Sequence, residues 1–163
     1  MVILNRELFE RDFGPEQLAH EEAMFLQQGR HGNWTTFYAH ENALPLQDIF
    51  HESGVLYVRT YLWNPGQEKE VWMGAASNCP TKMWVNHQQT VAFLHYPLVR
   101  PSYGGNKESY ARVRLREGWN EVLLKFVRSE DASPFACHFV YSDNSKQYEG
   151  LPLLGRTRTP WGD

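Results

Sequence analysis

Residues 112–127 read RVRLREGWNEVLLKFV and contain two strand patterns on either side of a turn. Val113 and Leu115 alternate with arginines, which places them on one face of the first strand. Glu117-Gly118 is typical of a turn, and the run from Val122 to Val127 is apolar enough for a strand in a buried core. The stretch therefore predicts two consecutive short strands of a β protein.

Strand patterns of the same kind recur on both sides of this stretch. We expect further strands over residues 56–63, 71–75, 82–85, 90–94 and 135–141. The turn residues Asn64-Pro65-Gly66 predict a hairpin between the first two, and Asn86-His87 predicts another between the third and fourth. Short strands separated by turn residues predict an all-β fold, an antiparallel β-sandwich.

The chain before residue 43 follows a different pattern. Good helix formers run from Gly14-Pro15 to Gln28, with Asp12 suited to cap them and Gly29 suited to end them. We expect a short helix here, which either packs on the sandwich or is the end of a preceding domain. The sequence thus divides into an N-terminal segment at 1–42, a β-sandwich domain at 43–149 and an extended tail at 150–163.

Composition narrows the class of partner. Of the 163 residues 42% are hydrophobic and 14% aromatic, so a sizeable core is expected. The net charge is -3 and no cluster of Lys or Arg is present, which argues against nucleic acid. There is no run of about twenty apolar residues and no signal-peptide pattern, which argues against a membrane. Localisation stays open; it would be extracellular if the chain were part of a larger secreted enzyme.

Two segments carry a family resemblance. Residues 83–87, MWVNH, and 115–126, LREGWNEVLLKF, are similar to the recurrent "vWvNG" and "L..GwN.vLlK" patterns of galactose-binding-like accessory β-sandwiches in bacterial carbohydrate-active enzymes. The strand LYVRT at 56–60 and the aromatic closing strand at 135–141 extend the resemblance to roughly two thirds of the chain. It implies a jelly-roll sandwich and a role in carbohydrate binding.

The residues of these motifs also have a physical interpretation. Gly118 can adopt a positive φ between strands, Trp119 can close the end of the sandwich, and Asn120 can bond to turn backbone. His87 replaces the usual Gly of the hairpin, which leaves the type of that turn open. Ser77-Asn78 stands where relatives often have acidic residues, which argues against a metal ion at that place.

Two groups of residues are candidate ligand contacts. The first is an outer strand face, where aromatic rings can stack on a sugar ring and an Arg can bind hydroxyls or a uronic carboxylate. Its members are Tyr57, Arg59, Tyr61, Trp63 and, if the first hairpin forms, Trp72. Alternatively, the N-terminal helix or a neighbouring domain covers these aromatics.

The second group lies in a long loop at residues 95–109, and loops of this length are often functional. It mixes aromatic and cationic side chains: Tyr96, Arg100 and Tyr103. The alternatives are a loop that docks on a partner domain and a loop without a ligand.

The sequence does not predict an enzyme. Paired carboxylates, an activated nucleophile and metal-ligand spacing are all missing, and Cys79 and Cys137 match no ligand pattern. We expect no cofactor, with a structural calcium ion left open. The predicted function is a noncatalytic carbohydrate-binding module or accessory domain that binds poly- or oligosaccharide. The alternative is a spacer or protein-interaction sandwich packed on a catalytic domain in cis; a small enzyme using the long loop is the third hypothesis.

Overall fold

The computed structural model describes residues 2–16, 25–27, 30–32, 43–45, 53–77, 79–94, 110–128 and 136–142. Within these residues one helix, α1, precedes ten strands. Their bounds are α1 Val2–Glu10, β1 Phe25–Gln27, β2 Arg30–Gly32, β3 Ala43–Pro45, β4 Gly54–Asn64, β5 Lys69–Ala76, β6 Thr81–Val85, β7 Gln88–Phe93, β8 Tyr110–Leu115, β9 Gly118–Arg128 and β10 Ala136–Ser142. Among the described residues, no helix is both long and apolar enough to cross a membrane.

The strands form two four-stranded antiparallel sheets and one small hairpin. The first sheet has the order β3-β10-β5-β8, the second has the order β4-β9-β6-β7, and β1 pairs with β2. The second sheet is built on the longest pairing, in which β4 and β9 run side by side from Gly54↔Arg128 to Asn64↔Gly118. The predicted all-β antiparallel β-sandwich with a short N-terminal helix is confirmed.

The core lies between the two sheets, because each strand turns alternate residues inward. Val71, Met73 and Ala75 of β5 are fully buried, as the alternation predicted. Opposite them, β9 contributes every second residue of its apolar run. The remaining described members of this cluster come from β4, β6, β7, β8 and β9 and from Cys79 before β6: Leu62, Cys79, Met83, Val85, Val91, Phe93, Val113, Leu115, Val122, Leu124 and Phe126.

The predicted hairpin between β4 and β5 is wrong. These strands belong to different sheets, so the turn residues at 64–66 form a crossing from one sheet to the other. Asn64 explains why: its buried amide donates to the backbone oxygens of Gln67, at 3.0 Å, and Arg116, at 3.2 Å. These bonds tie the connection to the β8–β9 turn rather than folding β5 back on β4.

The hairpin between β6 and β7 is confirmed, with Val85 paired to Gln88 across a two-residue turn. Asn86 and His87 both have positive φ, at 49° and 67°. This is the combination of a type I′ turn, which matches the twist of the strands it joins. His87 therefore holds the left-handed conformation that a glycine usually provides at this position.

The helix lies earlier in the chain than predicted. It spans Val2–Glu10. The predicted helix over 14–28 is wrong at 14–16, which form a turn, and at Phe25–Gln27, which is strand β1; residues 17–24 and 28 lie outside the described residues. Gly14 has φ 112°, outside the helical region, and its N–H donates to Asp12 Oδ1 at 2.7 Å. Asp12 thus closes a local turn instead of capping a helix.

Candidate functional site

The outer face of the second sheet has a covered half and an open half. Alternate residues of β4 and β9 point to this face, away from the core between the sheets. Near the Val55↔Val127 end the face is buried under the N-terminal segment. Near the Trp63↔Trp119 end Trp63 is exposed and Trp119 and Tyr61 are partly exposed. The candidate site is this open half.

The covered half contains a second apolar cluster. Phe9 of α1 packs on it, with Leu8 and Phe13 at its margin. The sheet side consists of Val55, Tyr57, Trp84, Leu123 and Val127. The alternative in which the N-terminal part of the chain covers the outer aromatics therefore holds for Tyr57.

A buried lysine fastens the N-terminal segment to this half. The side chain of Lys125 has no exposed surface, and its Nζ donates to the backbone oxygens of Phe9 and Arg11 and to Glu16 Oε1 at 2.7 Å. Tyr57 donates its hydroxyl to the same Glu16 oxygen, also at 2.7 Å. Burial lowers the pKa of Lys125 while Glu16 opposes the change, and burial raises the pKa of Tyr57.

The open half is marked by two tryptophans. Trp63 has 58% of its surface exposed. Among the described residues no other large hydrophobic side chain is exposed. It faces Trp119 across the β4–β9 pair, with ring centroids 5.2 Å apart and ring planes at 62°. Gly118 has φ 83°, as predicted, and a Cβ there would lie 3.6 Å from Trp63 Cζ3. We call Trp63 and Trp119 the tryptophan pair.

A polar group centred on Glu121 lies beside the tryptophan pair on the same face. The Glu121 carboxylate is 3.7 Å from Arg59 Nε and 3.8 Å from His87 Nδ1, and it accepts a hydrogen bond of 3.5 Å from the Tyr61 hydroxyl. The Arg59 side chain is only 3% exposed, whereas His87 is largely exposed. Burial and the neighbouring Glu121 raise the pKa of Tyr61 to about 12. Tyr61 is therefore a neutral hydroxyl at ordinary pH.

Asn120 holds the turns that frame this group. Its side chain is completely buried, and its Oδ1 accepts from the backbone N–H of Arg116 and from Asn86 Nδ2, at 3.0 and 2.8 Å. Its Nδ2 donates to the backbone oxygens of Arg116 and Gly118. The predicted bonding of Asn120 to turn backbone is confirmed. Asn86 in turn accepts from the N–H of Glu121 at 3.1 Å, which fixes the carboxylate relative to the β6–β7 turn.

Trp72 does not join the other residues of the predicted face. It lies on β5, in the first sheet, because β4 and β5 do not pair. Arg112 stacks over its ring at 5.2 Å and also pairs with Glu70 at 3.6 Å. The predicted row of five contacts is thus divided between two sheets, and only Arg59, Tyr61 and Trp63 lie together in the open half.

The second predicted group, Tyr96, Arg100 and Tyr103, lies outside the described residues. The sequence interpretation did not include three members of the open half: Trp119, Glu121 and His87. Trp119 had been assigned a structural role, and the alternation of β9 would have placed it with Glu121 on the face opposite the core. Among the described residues no group of three or more His, Cys, Asp and Glu is placed to hold a metal ion.

In comparisons with known proteins, no family model matches this chain, and neither a curated protein nor a solved structure matches it. The resemblance to galactose-binding-like accessory sandwiches therefore rests on the sequence motifs.

Proposed function

We propose that the chain is a noncatalytic carbohydrate-binding module, or an accessory domain of a larger glycan-active enzyme, and that the open half binds a poly- or oligosaccharide. The observation that carries the proposal is the exposed ring of Trp63 beside the polar group at Glu121. A sugar presents axial C–H groups to an aromatic face and hydroxyls at its rim. An apolar ring next to fixed acceptors and donors matches both features.

The strand order supports a jelly-roll fold of the galactose-binding-like type. Numbered from β3 to β10, the eight strands of the two sheets run 1-8-3-6 and 2-7-4-5. Two Greek keys wound into a double sheet produce this order. Such a fold carries many functions, so the ligand is inferred from the side chains of the site and not from the topology.

The polar side chains of the open half favour binding of a sugar over its hydrolysis. Glycoside hydrolysis uses two carboxyl groups at a set separation. In the described part of the open half the carboxylate is Glu121, which is engaged by Arg59 and Tyr61. A carboxylate held in this way can accept hydrogen bonds from sugar hydroxyls, and these are stronger than bonds between neutral groups.

Tryptophan substitution tests the proposal. Replacing Trp63 by Ala removes the exposed ring, and we expect the affinity for a bound sugar to fall at least about tenfold, the equivalent of roughly 1.4 kcal/mol. Trp72→Ala is the matched control, because Trp72 lies on the first sheet. Calorimetric titration with a panel of soluble and insoluble glycans gives the affinities. An equal loss of affinity in both variants, or no loss of affinity in Trp63→Ala, would mean that the sugar binds outside the open half.

A spacer or protein-interaction sandwich is the second candidate. It is favoured by the covered half, where the same outer face already packs against a segment of its own chain. In this function Trp63 would contact a catalytic domain in cis. Absence of binding to every glycan of the panel, together with Trp63-dependent self-association in light scattering, would favour it over carbohydrate binding.

A further inference from the structure

We infer that the open half takes a single soluble chain of uncharged sugars, with one ring on Trp63, and selects against both acidic sugars and the flat surface of an insoluble polysaccharide. The inference rests on the proposed function and specifies its ligand. It follows from the angle between the two tryptophans and from the distribution of charge around them.

The angle excludes a flat ligand. The planes of Trp63 and Trp119 are inclined at 62°, so both rings cannot lie against one planar surface. A crystalline polysaccharide face would need several coplanar rings, each stacked on a sugar of that face. The tryptophan pair instead forms a corner. One sugar can stack on Trp63 while the edge of the same ring, or the next sugar, contacts Trp119.

Charge excludes an acidic ligand. Arg59, which shares the strand face of Trp63, is only 3% exposed and pairs with Glu121. A uronic carboxylate would have to displace that pair and would meet the Glu121 carboxylate at close range. Separating a pair with so little solvent contact is unfavourable, because the Glu121 carboxylate then loses the Arg59 cation and lies beside a second negative charge.

The charged groups that the structure describes around the site do not supply a net positive charge. Arg116 donates to Asn86 Oδ1 at 3.1 Å, and its neighbour in the chain, Glu117, is an exposed carboxylate. His87 faces Glu121 and is charged only when protonated. Within the described part of the chain, Arg59 and Arg116 are thus balanced by Glu117 and Glu121, and the carboxylates and amides offer acceptors for hydroxyl groups.

Matched ligand pairs test the inference. Calorimetric titration compares neutral oligosaccharides with uronic-acid oligomers, including oligogalacturonate with its methyl ester, in which the ring is the same and the charge is removed. Co-sedimentation with insoluble cellulose and chitin is compared with titration of their soluble oligomers. We expect at least one neutral soluble oligosaccharide to bind about tenfold or more tightly than every acidic or insoluble ligand. Trp63→Ala should abolish that preference, and Trp72→Ala should leave it unchanged.

The outcomes separate this inference from the proposed function. Trp63-dependent binding that is tighter for an acidic sugar, or for an insoluble surface, overturns the inference and leaves carbohydrate binding standing. No Trp63-dependent binding to any sugar overturns both. A second variant, Glu121→Gln, removes the negative charge; we expect weaker binding of the neutral sugar. Tighter binding of the neutral sugar by this variant would contradict the role given to the carboxylate.

Discussion

At the scale of single residues, Asn120 shows how a buried polar side chain can be stable. Its amide oxygen and nitrogen are both bonded, to the Arg116–Gly118 turn and to Asn86, and none of its surface is exposed. A buried amide is favourable only when its bonding capacity is filled, since each unmet group loses its water without compensation. Asn120 therefore links the β8–β9 turn to the β6–β7 turn through side-chain bonds, next to the backbone bond from the Asn86 N–H to the Glu121 carbonyl oxygen.

Replacing Asn120 by Ala should destabilise the protein by about 3 kcal/mol, because the substitution leaves several backbone groups without their bonds. Denaturant unfolding followed by tryptophan fluorescence gives the free energy of unfolding. Gln89→Ala, at an exposed position of the adjacent hairpin, is the control and should change it by less than about 0.5 kcal/mol. Similar values for the two variants would mean that water replaces the bonds of Asn120.

At the scale of elements, the N-terminal segment is attached to the second sheet by an ion pair with little solvent contact. Lys125 is fully buried and Glu16 nearly so, and both belong to a cluster that includes the Tyr57 hydroxyl. Such a pair differs from the surface pairs Arg112–Glu70 and Arg114–Glu68, whose side chains are all more than half exposed. Removing one partner of the buried pair leaves an uncompensated charge.

Glu16→Ala should lower the free energy of unfolding by about 3 kcal/mol, because the Lys125 ammonium loses its carboxylate inside the protein. Glu70→Ala makes the same change in an exposed pair and should cost less than about 1 kcal/mol. Urea unfolding of both variants provides the comparison. An equally small loss of stability in the two variants would show that the apolar contacts of Phe9 and its neighbours, and not the ion pair, attach the segment.

At the scale of the whole molecule, burial makes the fold sensitive to alkali. It raises the pKa of Cys79 from 9.0 to about 12 and that of Tyr61 from 10.0 to about 12, and it also raises the pKa of Tyr57. Each group stays protonated in the folded state at a pH where it ionises in the unfolded chain. The unfolded chain then holds fewer protons, so the stability is complete below about pH 9 and is lost as the pH rises toward 12.

Lys125 acts in the opposite sense, because burial lowers its pKa below 10.5; its contribution stops changing once the pH exceeds that value. We therefore expect the free energy of unfolding to fall with increasing pH above about 10.5, which urea unfolding at several pH values would measure. Cys79→Ala should make the fall of the free energy of unfolding with pH less steep, whatever the substitution does to the stability at neutral pH. A constant or rising free energy in this range would contradict the three raised values.

The sequence predicted the parts of the fold that depend on local periodicity. Val71, Met73 and Ala75 alternate with Trp72 and Gly74, and burial of the first three in the core follows from their shared strand face. The partner of each strand is not a local property. Asn64-Pro65-Gly66 is compatible with a hairpin and with a crossing between sheets. Asn64 bonds to Gln67, three residues later, and to Arg116, which is far away in the sequence, and these bonds favour the crossing.

The site was predicted only in part for the same reason. Arg59, Tyr61 and Trp63 share a strand face, so their proximity follows from β4 alone. Trp119 and Glu121 reach them through the register of β4 against β9, which joins residues nearly sixty positions apart. The helix formers after Gly14 predict a helix that begins there, whereas this glycine adopts a positive φ that a helix does not accommodate and that its sequence context does not reveal.

The surroundings of Lys125 have one more consequence. Two main-chain carbonyl oxygens and a carboxylate oxygen are donors that a small hard cation prefers. Here the ion is an ammonium group, joined to strand β9 by a covalent bond. The occupancy of a metal ion in the same place would depend on its concentration, whereas the Lys125 ammonium is covalently attached and cannot be removed by a chelator. The cation that attaches the N-terminal segment is thus a side chain of the protein itself, and this contact does not depend on the concentration of a metal ion.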